Sequence, residues 1–211
     1  MTRNYLKRFV DLKCAGDVLN AAAPINSAAK EITEAMGAVV RLRPFFLEPQ
    51  YKMQADLVDC CAGNALGSIL AVHLLPIRNA YAIDTNPRTR EGHKSVKRWS
   101  YWQKDISDLG MYKVITVPFA VLAIHPCGDL AWKVVEIYRT IENAKALVLI
   151  PCCNPRKDAK YLFISHPALK RKLSTYEQFA LDLATRAKGR LHRDRQIESE
   201  KNLVIVARKE G

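Results

Sequence analysis

Much is missing from this 211-residue chain. No stretch approaches the ~20 uninterrupted apolar residues that a membrane span requires. The opening Met1-Thr2-Arg3-Asn4-Tyr5 lacks the apolar core of a secretory signal. There is no Cys-x-x-Cys, no internal repeat and no low-complexity tract. The six cysteines are Cys14, Cys60, Cys61, Cys127, Cys152 and Cys153. Two adjacent pairs make a poor disulfide framework, so reduced thiols in the cytoplasm are expected. Acid is scarce, with 21 Asp and Glu against 33 Lys and Arg and a net charge of +12. A field of that sign favours phosphate-rich partners, nucleic acid first. No membrane association and no obligate protein partner is expected.

What is present begins at Leu57-Val58-Asp59-Cys60-Cys61-Ala62-Gly63-Asn64-Ala65-Leu66-Gly67. An apolar strand over 55–60 meets an acid, then a turn of small residues, then an apolar helix over 66–75 ended by Pro76. Small residues there let the backbone approach a ligand while a helix N-terminus faces it. A second strand, 80–84, ends in Asp84 about twenty residues on, where an acid can grip ribose hydroxyls. A third acid, Asp105, follows a strand around Ser100-Tyr101-Trp102. Acids at three successive strand ends are a stronger signal than one turn.

The alternation continues with strands at 120–125 and 146–150 and a helix at 130–141. A basic helix is expected over 87–98, with Pro87 in its first turn. The segment 107–119 has no clear assignment. A basic loop runs from 154 to 173 and is a candidate substrate element. Ser174-Thr175-Tyr176-Glu177 reads as a capping box opening a helix to about 188, with Gly189 behind it. The end, 195–199 then 203–208, reads as a β-hairpin. Residues 1–50 lack the strand pattern and are expected to form a helical and extended cap, with a helix over 27–36 closed by Gly37. Residues 51–211 form the main domain, a doubly wound Rossmann-like α/β sheet with a C-terminal antiparallel hairpin.

These residues resemble class I S-adenosylmethionine-dependent methyltransferases. Cys61 and Ala65 stand where the usual motif has its outer glycines, and Gly63 remains. A narrower likeness lies in Ile124-His125-Pro126-Cys127-Gly128-Asp129-Leu130 with Pro151-Cys152-Cys153, which resembles the "His-x-Cys-Gly-Asp-Leu … Cys-Cys" pattern of methyltransferase-domain family 32. The resemblance implies a seven-stranded sheet with a reversed last strand and S-adenosylmethionine as cofactor. Carried over by position, Asp59, Cys61, Ala62, Gly63 and Asn64 would hold the methionine part. Asp84 would hold the ribose, and Asp105 with Ile106 the adenine edge.

His125, Cys127 and Cys152 are the candidate catalytic residues, at strand ends where open α/β sheets bind ligands. In one reading they line the methyl-transfer pocket and His125 accepts a proton. In another, one cysteine adds to carbon six of a pyrimidine, because carbon five is not nucleophilic by itself. The spacing matches no standard metal motif, and buried small cysteines are the bland alternative. RNA, as tRNA or rRNA, is the expected substrate from charge alone. Its candidate contacts are Arg88, Lys94, Lys97, Arg98, Arg156, Lys157, Lys170 and Arg171. Trp99, Tyr101 and Trp102 are core aromatics or base-stacking surfaces. A non-catalytic nucleic-acid-binding protein with a degenerate cofactor site, and a nicotinamide-dependent reductase, are the competing functions.

Overall fold

The computed structural model describes residues 4–88, 92–152 and 173–209. Seven strands form one sheet: β1 (Asp56–Cys60), β2 (Ala80–Asp84), β3 (Trp99–Gln103), β4 (Phe119–Ile124), β5 (Ala144–Ile150), β6 (Arg190–Arg193) and β7 (Leu203–Arg208). Their order is β3-β2-β1-β4-β5-β7-β6. The first five pair in parallel, and β7 runs antiparallel to both β5 and β6. Strands β1, β4 and β5 read as nearly unbroken apolar runs, apart from Asp56 and Asp59 in β1 and Lys145 in β5, because both faces are covered.

Each face has its own core. On one side Leu57, Ala82, Leu122 and Val148 pack beneath helices α1 (Tyr5–Val10), α2 (Ala15–Ala22), α3 (Ala28–Phe46) and α4 (Leu66–Leu74). On the other, Val58, Val121, Leu147 and Ile205 meet α5 (Asp129–Thr140) and α6 (Thr175–Arg186). The period-two alternation along each strand assigns neighbours to opposite cores. Between β1 and β4 the strand order reverses direction, and the crevice outside their carboxyl ends is where a ligand binds in such a sheet.

Four expectations need correction. The N-terminal helix does not stop at Gly37, and the part of the cap that follows it, expected to be extended, is helical as far as Phe46: α3 runs 19 residues through Gly37 and Pro44. An interior proline costs about 3 kcal/mol. Burial of Ile32, Met36, Val39, Leu42, Phe45 and Phe46 outweighs it, at about 1.5–3 kcal/mol each. This helix packs on α4, β4 and β5, so the residues read as a cap share the main core. The basic stretch 87–98 is not an α-helix among its described residues, which form a short 3-10 turn at Gly92–Ser95. Only Val96 of that stretch offers an apolar anchor, too little to stabilise an amphipathic helix. Helix α2 packs against this turn and α4 and fills the layer instead. Finally, the first arm of the terminal hairpin is Arg190–Arg193, not 195–199. The 107–119 segment holds a 3-10 helix at Leu109–Val114, and the capping box of Ser174 and Glu177 opens α6 as expected.

Candidate active site

The turn after β1 is built from left-handed residues. Cys61, Gly63 and Ala65 have φ of 58°, 54° and 59°. Only one is glycine, yet all three adopt the conformation that glycine favours. For Cys61 and Ala65 this costs roughly 1–2 kcal/mol each, so neighbours must over-determine the turn. They do. The Gly63 N–H donates to Asp84 Oδ2 at 2.9 Å and the Ala62 N–H to the Ile83 carbonyl at 3.0 Å. Asn64 donates from Nδ2 to Glu31 Oε2 at 2.6 Å, and its Oδ1 accepts the Leu66 N–H at 3.1 Å. A Cβ added at Gly63 would meet nothing within 4 Å, so the turn is open on that side.

The three acids differ in setting. Asp59 is 3% exposed and points toward α4, where Ser68 hydrogen-bonds it. Burial pushes its carboxyl up to about 7 despite those bonds. Asp59 therefore lies beneath the turn, under the surface the ligand would touch. Asp84 is half-buried at the end of β2, with Oδ1 accepting the Asn86 N–H at 3.0 Å. Asp105 is exposed, and the Ser107 backbone and side chain hold its carboxyl below the usual range. The Ile106 side chain is in the core, and its carbonyl accepts the Tyr112 hydroxyl at 3.1 Å. A cavity of about 330 Å³ opens beside the turn, lined by Pro24, Gly63, Asn64, Asn86, Arg88 and Tyr101 among others.

At the end of β4, His125 is also left-handed, with φ of 59°. Its N–H donates to the Ile150 carbonyl at 2.8 Å, tying β4 to β5. Its Nε2 lies 2.7 Å from Oε1 of Glu34, a buried carboxylate on α3. That contact is short but out of line for a hydrogen bond. Cys127 is exposed and directs its thiol to the His125 carbonyl at 3.6 Å. Cys152 is partly buried at the end of β5, and the Tyr176 hydroxyl of α6 senses the charge of both Cys152 and Glu34. Burial raises Cys60 well above the usual thiol range and Cys61 up to about 12, so both stay protonated. Among the described residues no group of three His, Cys, Asp or Glu side chains is placed to hold a metal ion.

The structure thus brings Gly63, Asp84, His125, Cys127 and Cys152 to the carboxyl ends of β1, β2, β4 and β5. It also adds Glu31, Glu34 and Tyr176, which sequence reasoning missed. Glu34 had a signal: with Ala38, Leu42 and Phe45 it forms one helical stripe, and an acid in such a stripe is out of place.

The basic residues divide. Lys94 and Lys97 are exposed. Arg88 donates to the Asn64 carbonyl at 2.8 Å and to the Ala21 carbonyl at 2.7 Å, and lies over the rings of Trp99 and Tyr101. It pins the turn to α2. Arg98 donates to the Ile77 and Val72 carbonyls. Trp99 is buried and donates from Nε1 to Ser68 Oγ at 3.1 Å, so it is a core aromatic. Arg156, Lys157, Lys170 and Arg171, with the rest of the 154–173 loop up to 172, lie outside the described residues, as do Arg90 and Cys153.

A family model described as a methyltransferase domain matches residues 27–157, more than half of the chain. The chain belongs to this methyltransferase-domain family. No protein of curated function matches the methyltransferase. Solved structures similar to it include an O-methyltransferase family protein from Burkholderia thailandensis, 16% identical with a TM-score of 0.47. That match covers 100% of this chain and 64% of the other, so this chain spans under two thirds of that protein's length. A precorrin-6y C5,15-methyltransferase from Geobacter metallireducens is 15% identical, with a TM-score of 0.46 and 82% and 84% covered. A magnesium protoporphyrin IX methyltransferase from Synechocystis, with bound S-adenosylmethionine, is 11% identical, with a TM-score of 0.47 and 92% and 89% covered.

A methyltransferase domain implies S-adenosylmethionine as the cofactor of this chain. Its residues fit that group: the turn at Gly63 leaves the space a Cβ would fill, and the N-terminus of α4 follows it. Cys61 and Ala65, at the positions of the outer glycines, adopt the positive φ that glycine favours.

Proposed function

We propose that the methyltransferase transfers its methyl group to RNA, of the tRNA or rRNA class. The observation that carries this reading is the net charge of +12, with Lys94 and Lys97 exposed on the segment between β2 and β3. When bound, the cofactor supplies an activated methyl on a sulfonium, so the protein's task is alignment and exclusion of water. Gly63 and Asn64 would cradle the methionine part and Asp84 the ribose, with Asp105 and the Ile106 backbone toward the adenine edge. Asp59 supports the turn from below. His125 would stand at the methyl-transfer end.

Two measurements test this. Calorimetric titration with S-adenosylmethionine should show micromolar binding that Asp84→Ala abolishes without unfolding the protein. Incubation with methyl-tritiated cofactor and total cellular RNA should then label the RNA. Label that enters only protein or small molecules would remove RNA as the substrate. No cofactor binding by the folded wild type would remove the crevice assignment itself.

A further inference from the structure

Glu31 stands in the first turn of α3, where an acid has an ordinary role at a helix start. Its Oε1 accepts the Asn26 N–H at 3.1 Å and the Ser27 N–H at 2.9 Å. Capping accounts for that oxygen but not for the other. Oε2 accepts Asn64 Nδ2 at 2.6 Å, from 33 positions away in the chain. Three donors therefore converge on one carboxylate, a group that offers acceptors alone.

Asn64 lies between Gly63 and Ala65, both with positive φ. A turn with that backbone keeps its shape where the surroundings enforce it. Both amide hydrogens of Asn64 are engaged by the N-terminal segment, one by Glu31 and one, at 3.4 Å, by the Pro24 carbonyl. Its Oδ1 accepts the Leu66 N–H at the start of α4, and its carbonyl accepts from Arg88. Residues 23–27, between α2 and α3, border the same opening. Pro24 and Asn26 form one wall of the cavity of about 330 Å³, and Gly63 and Asn64 form another. Ile25 packs against the core and anchors the segment. Glu31 touches both walls, through Asn26 and Asn64.

We infer that Glu31 is a positioning residue for the methionine part of the cofactor. Its one carboxylate fixes the 23–27 segment against the turn at Gly63 and Asn64, so that both walls stand ready for that part of the ligand. The inference rests on the cofactor reading given above but not on the acceptor being RNA. It gives the N-terminal residues a role in binding besides their share of the core. Glu31 acts through Asn26, Ser27 and Asn64, and the Asn64 side chain is turned to Glu31, which leaves its backbone for the ligand.

The test compares two ligands by calorimetry, with melting temperatures to show that each variant is folded. S-adenosylhomocysteine carries the amino-acid part, and methylthioadenosine keeps the adenine, ribose and sulfur without it. Glu31→Gln leaves one oxygen for the Asn26 and Ser27 amides but turns its new amide nitrogen toward Asn64 Nδ2, donor against donor. S-adenosylhomocysteine should then bind about tenfold more weakly, the effect of losing one hydrogen bond to a charged group. Methylthioadenosine should bind as it does to the wild type. Asn64→Asp should have the same selective effect, because it sets carboxylate against carboxylate. Combining Glu31→Gln with Asn64→Asp restores the bond with its donor on the other side and conserves net charge, so most of the lost affinity should return. Single variants that weaken both ligands alike would reveal a general structural loss and overturn the inference. So would single variants that bind S-adenosylhomocysteine like the wild type, or a double variant no better than the singles. A folded wild type that binds neither ligand would overturn the cofactor reading and the inference together, whereas the other failures overturn the inference alone.

Discussion

Gly63 and Asp59 belong to the same turn, and they predict opposite kinds of defect. At Gly63 a methyl group would meet no atom within 4 Å, while φ is 54°. Gly63→Ala should therefore cost about 1–2 kcal/mol of folding stability from backbone strain alone. The new methyl projects into the space assigned to the cofactor, so S-adenosylmethionine affinity should fall at least tenfold while the melting temperature drops by only a few degrees. Unchanged affinity by calorimetry would mean the turn does not face the cofactor. Asp59 has the reverse character. Burial raises its folded carboxyl to about 7 from an ordinary value near 3.8. Between those pH values the folded state binds more protons than the unfolded state, so this residue makes stability fall as pH climbs through the window. Above about 7 its contribution is flat. Asp59→Asn should remove that part of the slope when melting temperatures are followed from pH 4 to 8. A variant whose slope matches wild type would show that the carboxyl is not held neutral.

At the scale of elements, legibility followed whether a local pattern agreed with its surroundings. Strands β1, β2, β4 and β5 were readable because an unbroken apolar run bounded by turn residues has few other homes. Gly63, Asp84 and His125 were readable as candidates because each ends such a strand. Two elements were not. Gly37 and Pro44 speak against a long helix, and α3 forms anyway because its burial against the sheet outweighs them. The stretch 87–98 carries a favourable first-turn proline and basic residues, but it has no apolar face to dock. What fixes it is contact with a distant element. A Cβ on Gly92 would come within 2.5 Å of the Asn20 carbonyl oxygen in α2. Backbone cannot swing aside as a side chain can, so Gly92→Ala should destabilise the protein by about 1–3 kcal/mol, read as a lower denaturant midpoint at constant m. Glu34 was hidden for the same reason as Gly92: the residue it meets, His125, lies 91 positions away and is brought to it by the sheet topology.

For the whole molecule, the excess of positive charge is the property that no single site explains. Part of it is spent internally: Arg88 and Arg98 hold carbonyls, Arg41 pairs with Asp194, and Arg208 pairs with Glu48 and so ties the C-terminal strand to the end of α3. Lys94 and Lys97 are exposed beyond the end of β2. If this surface meets RNA phosphates, each contact releases counterions. The logarithm of affinity should then fall linearly with the logarithm of salt, with a slope of about −0.7 per phosphate neutralised on a single strand. Lys94→Gln and Lys97→Gln should each flatten that slope by about that amount and leave cofactor affinity alone. Arg88→Gln should do the opposite, weakening the fold and the cofactor turn while leaving the salt slope of RNA binding unchanged, because its guanidinium is committed to Asn64 and Ala21. Filter-binding titrations over a range of potassium chloride concentrations separate the two outcomes. A wild-type slope near zero would mean that the net charge serves solubility, and the acceptor would then be sought among small molecules or proteins.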